Sequence, residues 1–274
     1  MIFEFNDLQF NIDFFHTVNN DKPHLLFLHG FTGSTDDWKS IYSHIDQNFS
    51  SFGIDLIGHG KSSSPKNIEF YSAEAIANQI SKIINHTIKR KVIPIGYSMG
   101  GRAALTFAVK HPEMIEAIIL ESTSPGIEDK RLSEERVKKD DAIALFIENH
   151  TIDEFANYWM SMEIFNTQRR FSAEKRKQLQ QKKIKNNITG LANSLRGFGT
   201  GTMPPLFNQL KSIKCKTLLI TGELDTKFTN INNEIAKLFP NAEHETVKSA
   251  GHNIHLEEPI KFAEAVNDFL KSLN

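Results

Sequence analysis

The sequence is short of cysteine: Cys215 is the only one in 274 residues. An internal disulfide is therefore excluded, and a reducing compartment is the natural setting. Cys215 precedes the apolar run TLLITG and has no histidine signature around it, so it reads as a small core residue rather than a catalytic thiol. Charge of one sign is also lacking. The 32 lysines and arginines stand against 33 aspartates and glutamates, a formal net charge of −1. No global field points to nucleic acid or to a membrane surface. No apolar run approaches the roughly 18 residues of a membrane span. The N-terminal MIFEFNDLQFNIDFF has no basic start and no unbroken apolar segment, so it does not read as a signal peptide, and a cytoplasmic protein is expected. Histidine and cysteine spacings for a metal are missing, and no metal or other cofactor is expected. Two nucleotide look-alikes also fail. GHGKS (58–62) has Asp55 where a phosphate-binding loop needs its first glycine, and GFGTG (197–201) neither fits G-x-G-x-x-G nor follows a strand.

What is present suits a soluble chain with a core, 39% hydrophobic and 24% charged. Its length allows one large α/β domain or two small ones. Alternating phenylalanines on either side of Asn6-Asp7 predict an antiparallel hairpin. Strand-like and helix-like segments then alternate. Strands are expected in HLLFLHG (24–30), FSSFGIDLIG (49–58), KVIPIGYS (91–98) and MIEAIILES (114–122). Helices are expected in DDWKSIYSHI (36–45), SAEAIANQISKIINHTI (72–88, with Ser72 as N-cap) and GGRAALTFAVKH (100–111). The alternation resumes with strand KTLLITG (216–222), helix INNEIAKLFP (231–240), strand HETVKS (244–249) and helix PIKFAEAVNDFLKSL (259–273). Between them, residues 122–205 hold no convincing strand. The pattern implies a mostly parallel sheet covered by helices, formed by residues 1–121 and 206–274, with 122–205 inserted as a helical cap.

Gly96-Tyr97-Ser98-Met99-Gly100 matches G-x-S-x-G on a strand-to-helix turn. Such a turn exposes a serine hydroxyl next to helix N–H groups; a plain helix-capping serine is the competing explanation. A nucleophilic or basic serine needs a histidine, and the histidine needs an acid. Asp225, in GELD, and His252, in AGH, follow the next two strands in the required order. Glu121 and Glu223 are the alternative acids, but Asp225 fits the loop position better. His255 is assigned a structural role, and His29 and His59 are expected to be satisfied by backbone groups. The N–H groups of Phe31 and Met99 are candidate oxyanion donors. Arg102 lies four residues after Ser98, so the helix directs it toward the same pocket, with an ordinary surface arginine as the alternative. From 168 to 196, nine bases face one acid, Glu174, a local charge of +8. A cationic lid of that kind would attract an anionic substrate, although most such charges line a solvated helix face.

The motifs LHGFTGS, DLIGHGKS, GYSMGG, GELD and AGHNIHLEEP together resemble the α/β-hydrolase fold across nearly the whole chain. GYSMGGR, LESTSPG, SLRGFGTG with PPLF, and GELDTKF further resemble the 2-succinyl-6-hydroxy-2,4-cyclohexadiene-1-carboxylate synthase family of menaquinone biosynthesis. The resemblance implies a lyase that eliminates pyruvate from 2-succinyl-5-enolpyruvyl-6-hydroxy-3-cyclohexene-1-carboxylate without a cofactor. It implies a small polycarboxylate substrate, and substrate-binding roles for Arg136, Arg196 and Lys183 beside Arg102. Trp159 and Phe165 would wall the ring, and Tyr97 would face the pocket; cap core packing is the alternative for both walls. A carboxylesterase or carbon–carbon hydrolase for anionic substrates, or a non-catalytic binding protein on this fold, remain the competing functions. A monomer is compatible with all of these.

Overall fold

The computed structural model describes residues 1–15 and 22–273. Eight strands form one sheet: β1 Ile2–Phe5, β2 Leu8–Phe14, β3 His24–Leu28, β4 Ser50–Ile54, β5 Val92–Tyr97, β6 Ala117–Glu121, β7 Lys216–Gly222 and β8 Ala242–Val247. Their order is β1-β2-β4-β3-β5-β6-β7-β8. The first two strands run antiparallel to their neighbours and the other six are mutually parallel. The hairpin turns at Asn6 (φ 50°) and Asp7 (φ 60°), the left-handed geometry that a two-residue hairpin loop demands and that these short polar residues tolerate.

Helices cover both faces. Ten α-helices are assigned among the described residues: α1 Ala73–Thr87, α2 Met99–Lys110, α3 Lys130–Asn149, α4 Ile152–Ser161, α5 Ala173–Lys183, α6 Ile188–Phe198, α7 Phe207–Leu210, α8 Thr226–Ala236, α9 Ile254–Glu257 and α10 Pro259–Lys271. Strand β3 explains the layering. Leu26 and Leu28 join the core that holds Ile76, Ile80 and Ile84 of α1 and Ala103 and Phe107 of α2. Leu25 and Phe27, pointing the other way, join Trp38 and α10 residues Phe262, Val266 and Phe269. Helix α1 starts where its sequence requires: the Ser72 side chain accepts from the Ala75 N–H.

The helical insert stands between β6 and β7 and comprises α3 to α6 with a 3₁₀ segment, Glu163–Arg170. It has a small core of its own, Ala144, Ile147, Phe155, Leu191, Ala192 and Leu195. Two expected helices differ. Residues 36–45 form two 3₁₀ turns, Thr35–Trp38 and Tyr42–His44, rather than an α-helix. The Ser34–Asp37 capping box starts the first turn, and the fully buried Trp38 and Ile41 pin it to the sheet before a second can propagate. Helix α8 begins at Thr226, not near Ile231, because Asp225 caps it. Cys215 packs against the core, and burial pushes its thiol up to about 11, so it stays protonated and unreactive at neutral pH.

Candidate active site

The parallel strands end on one side of the sheet, where α/β folds collect their ligands. Ser98 stands directly after β5 with φ 50° and ψ −104°, a strained backbone for a residue with a Cβ. The surroundings hold it there. Its N–H donates to the Glu121 carbonyl at 2.8 Å, and the Thr123 hydroxyl donates to the Ser98 carbonyl at 2.8 Å. A Cβ on Gly100 would sit 2.1 Å from the Leu28 carbonyl oxygen, and one on Gly96 would sit 2.5 Å from that of Gly100. The turn therefore closes only with glycine at both places.

Two further loops complete a relay. His252 Nε2 lies 3.1 Å from Ser98 Oγ, and His252 Nδ1 lies 2.6 Å from Asp225 Oδ2. Asp225 is fixed in turn: its Oδ1 accepts from the Phe228 N–H at 3.3 Å as it caps α8. The imidazole is buried between the rings of Phe228 and Tyr97, whose centroids are 4.5 and 5.4 Å away. Both alternative acids are occupied elsewhere. Glu223 accepts from the Ser249 N–H, and Glu121 takes both the N–H and the ring Nδ1 of His255, the latter at 2.7 Å. The Glu121–His255 pair is fully buried and braces β6 against α9. Replacing Glu121 with Ala is expected to cost about 3–5 kcal/mol, read as a lower urea midpoint, while catalytic efficiency stays within about fivefold.

His29 is satisfied as expected, by the Gly30 carbonyl and the Leu56 N–H. His59 is only half satisfied: Nδ1 faces the Ile57 carbonyl, and Nε2 is buried without a partner among the described residues. Burial, with His29 alongside, lowers its pKa to about 3 and keeps it neutral.

The cavity above the relay measures about 120 Å³ and is lined by Ser98, His252, Phe31, Tyr97, Met99, Arg102, Arg136, Trp159 and Phe165 among others. Met99 opens α2, so its N–H has no intrahelical acceptor and is available to an oxyanion. Tyr97 is buried, and its hydroxyl is held protonated chiefly by that burial, with Glu121 nearby acting in the same sense. The cavity continues into a groove of about 1120 Å³ between α3 and α8; Ser124, Arg136, Trp159 and Lys227 wall both.

Charge is distributed differently from the expectation. None of the nine bases between 168 and 196 lines this cavity. Arg196 binds Asp141 at 2.8 Å and Glu148 at 2.5 and 2.9 Å, tying α6 to α3, so the substrate-binding role expected of it is not supported. Lys183 is buried against the Thr32 hydroxyl at 2.9 Å and likewise lies outside the cavity lining, its pKa lowered by burial. Arg170 pairs with Glu257 and Glu258, and Lys182 with Asp37. Arg170, Lys182 and Lys183 thus fasten the insert to the sheet region, while Arg196 joins two helices of the insert itself. The cavity's own cations are Arg102, Arg136 and Lys227. Arg136 is held by Asp140 at 2.8 Å. Arg102 donates to the Phe198 carbonyl at 2.6 Å and lies over the Phe198 ring. Burial, reinforced by Arg136 and opposed by Asp140, pushes Arg102 down to about 9, which leaves it charged at neutral pH.

Ser122, Lys227 and Phe228 also line the cavity and were not singled out from the sequence. They sit inside the motifs LESTSPG and GELDTKF, but one dimension does not say which of those residues face inward.

A family model described as the alpha/beta hydrolase fold matches residues 23–259. A protein of Bacillus subtilis (strain 168) that carries the provisional name 2-succinyl-6-hydroxy-2,4-cyclohexadiene-1-carboxylate synthase is 37% identical over 93% of this chain and 92% of its own. The synthase of that name from Serratia proteamaculans (strain 568) is 30% identical over 91% of this chain and 94% of its own. Among solved structures, MenH from S. aureus superposes with a TM-score of 0.90 at 32% identity, covering 96% of this chain and 98% of that one. The strained serine, its relay and these likenesses agree: the chain belongs to the alpha/beta hydrolase fold family and, within it, to the 2-succinyl-6-hydroxy-2,4-cyclohexadiene-1-carboxylate synthase (MenH) family.

Proposed function

We propose that the protein is a carbon–oxygen lyase that releases pyruvate from 2-succinyl-5-enolpyruvyl-6-hydroxy-3-cyclohexene-1-carboxylate, leaving 2-succinyl-6-hydroxy-2,4-cyclohexadiene-1-carboxylate. Asp225 orients His252, which takes the Ser98 proton. Ser98 then removes the ring proton next to the succinyl carbonyl. The electron pair moves into that carbonyl, giving an enolate held by the Phe31 and Met99 N–H groups. As the enolate collapses, the ring–oxygen bond to the enolpyruvyl group breaks, and the departing enolpyruvate is protonated to pyruvate. The proton that His252 gained supplies that step, so the relay returns to its starting state.

The observation that carries this reading is Arg102. It lines the same cavity as Ser98 and His252, is largely buried, and among the described residues has no carboxylate within ion-pair distance. A neutral ester gains nothing from such a cation, whereas a substrate with three carboxylates supplies the missing counter-charge. Arg136 and Lys227, which wall both spaces, add positive charge where the cavity joins the groove; the rest of the groove is acidic, lined by Glu128, Asp129, Glu135, Asp140, Glu163 and Glu234 beside Lys139. Trp159 and Phe165, with ring centroids 5.8 Å apart, supply the apolar wall. The test is to supply the enolpyruvyl compound and follow pyruvate with a coupled dehydrogenase. Pyruvate is expected in a one-to-one ratio with the dienyl product; none above background would overturn the proposal.

A further inference from the structure

We infer that Asn186, in the turn between α5 and α6 of the insert, is a positioning residue: its side-chain amide clamps the turn that presents the Phe31 N–H to the enolate. This rests on the lyase reading above. Residues 30–33 form a tight turn, closed by the Gly33 N–H donating to the Gly30 carbonyl at 3.0 Å. That carbonyl shares one peptide plane with the Phe31 N–H, and the His29 ring holds it too, Nδ1 to oxygen at 2.8 Å. The direction of the Phe31 N–H therefore depends on this turn keeping its shape.

Its third residue is the weak point. Thr32 has φ 65°, where such a turn ordinarily takes glycine or asparagine and where a β-branched residue is strained. Two side chains of the insert hold it there. Asn186 Nδ2 donates to the Thr32 carbonyl at 2.9 Å, and Lys183 Nζ donates to the Thr32 hydroxyl at 2.9 Å. The Asn186 amide is itself fully engaged. Nδ2 also donates to the Lys183 carbonyl at 3.0 Å, and Oδ1 accepts from the Gly60 N–H at 3.0 Å, which fixes the amide's orientation. Asn186 and Thr32 are both buried, so water does not compete for their bond. Released, Thr32 relaxes toward negative φ, and the turn that carries the Phe31 N–H moves with it.

Asn186→Ala is expected to lower kcat for pyruvate release about 10- to 100-fold, the cost of a misplaced oxyanion donor. KM is expected to stay within about twofold, because the enolate exists only along the reaction path and the substrate carboxylates are held elsewhere. Asn186→Asp keeps an acceptor for the Gly60 N–H and loses the donor to Thr32, so the same fall in kcat is expected. Lys182→Met breaks a different tie between insert and sheet region, to Asp36 and Asp37, and is expected to keep kcat within about twofold. Thermal melts check that each variant is folded at the assay temperature. A wild-type kcat in either folded Asn186 variant overturns the inference, as does an equal loss in Lys182→Met or a rise in KM in place of the fall in kcat. Wild-type protein that releases no pyruvate would instead sink the lyase reading itself, a distinct outcome of the same assay.

Discussion

Ser98→Ala is expected to lower kcat for pyruvate release by at least about a thousandfold, with KM changed severalfold at most. The reason is geometric. His252 Nε2 lies 3.1 Å from the Ser98 hydroxyl, and the rest of the imidazole is committed to Asp225 and to the flanking rings of Phe228 and Tyr97. Without the hydroxyl, the base is left facing a methyl group. The variant should fold normally, because the contacts that hold the turn are backbone ones, from the Ser98 N–H to Glu121 and from Thr123 to the Ser98 carbonyl. Single-turnover pyruvate release and circular dichroism check both halves. Activity near the wild-type level in a folded variant would remove Ser98 from the chemistry.

Arg102→Met is expected to lower kcat/KM for the enolpyruvyl substrate by about 10²–10³, the usual cost of losing one partner of a desolvated charge pair. Methionine keeps much of the apolar bulk against the Phe198 ring and removes a largely buried cation that has no ion-pair partner among the described residues. Stability is therefore expected to hold or to rise even as activity falls. Arg102→Lys should recover little, because a single ammonium cannot donate to the Phe198 carbonyl and to a substrate carboxylate in the same fork-like way. Steady-state kinetics alongside thermal melts separate these outcomes. Unchanged kcat/KM with a lower melting temperature would make Arg102 a packing residue.

Much of this was readable in one dimension because it depends on local rules. A serine between glycines at the end of an apolar strand has few structural solutions, and Gly96 and Gly100 show why, each with carbonyl oxygens where a Cβ would stand. Chain order and their places after β7 and β8 point to Asp225 and His252, and the fold brings both side chains into line with Ser98. Helix periodicity, four residues past Ser98, directs Arg102 to the cavity that it lines. The cap resisted the same treatment. Its bases looked like a charged lid, yet Arg196 and Arg170 spend their charge on Asp141, Glu148, Glu257 and Glu258, and that pairing depends on how helices pack, not on spacing. Lys227 and Phe228 escape such rules because Asp225 also caps α8, which starts the helix early and brings those two residues to the cavity. The expected helix at 36–45 failed for a related reason: the burial of Trp38 against Phe27, His255 and Phe262 outweighed local periodicity.

Selection of a multiply negative substrate for elimination, rather than of an ester for hydrolysis, is most directly tested by one comparison. The kcat/KM of the wild-type protein is measured for the enolpyruvyl tricarboxylate and for a neutral acetate ester under the same conditions. A preference of at least about a thousandfold for the tricarboxylate is expected, since Arg102, Arg136 and Lys227 act on that compound alone. Faster turnover of the ester would contradict the account and make the same serine, histidine and aspartate a hydrolase.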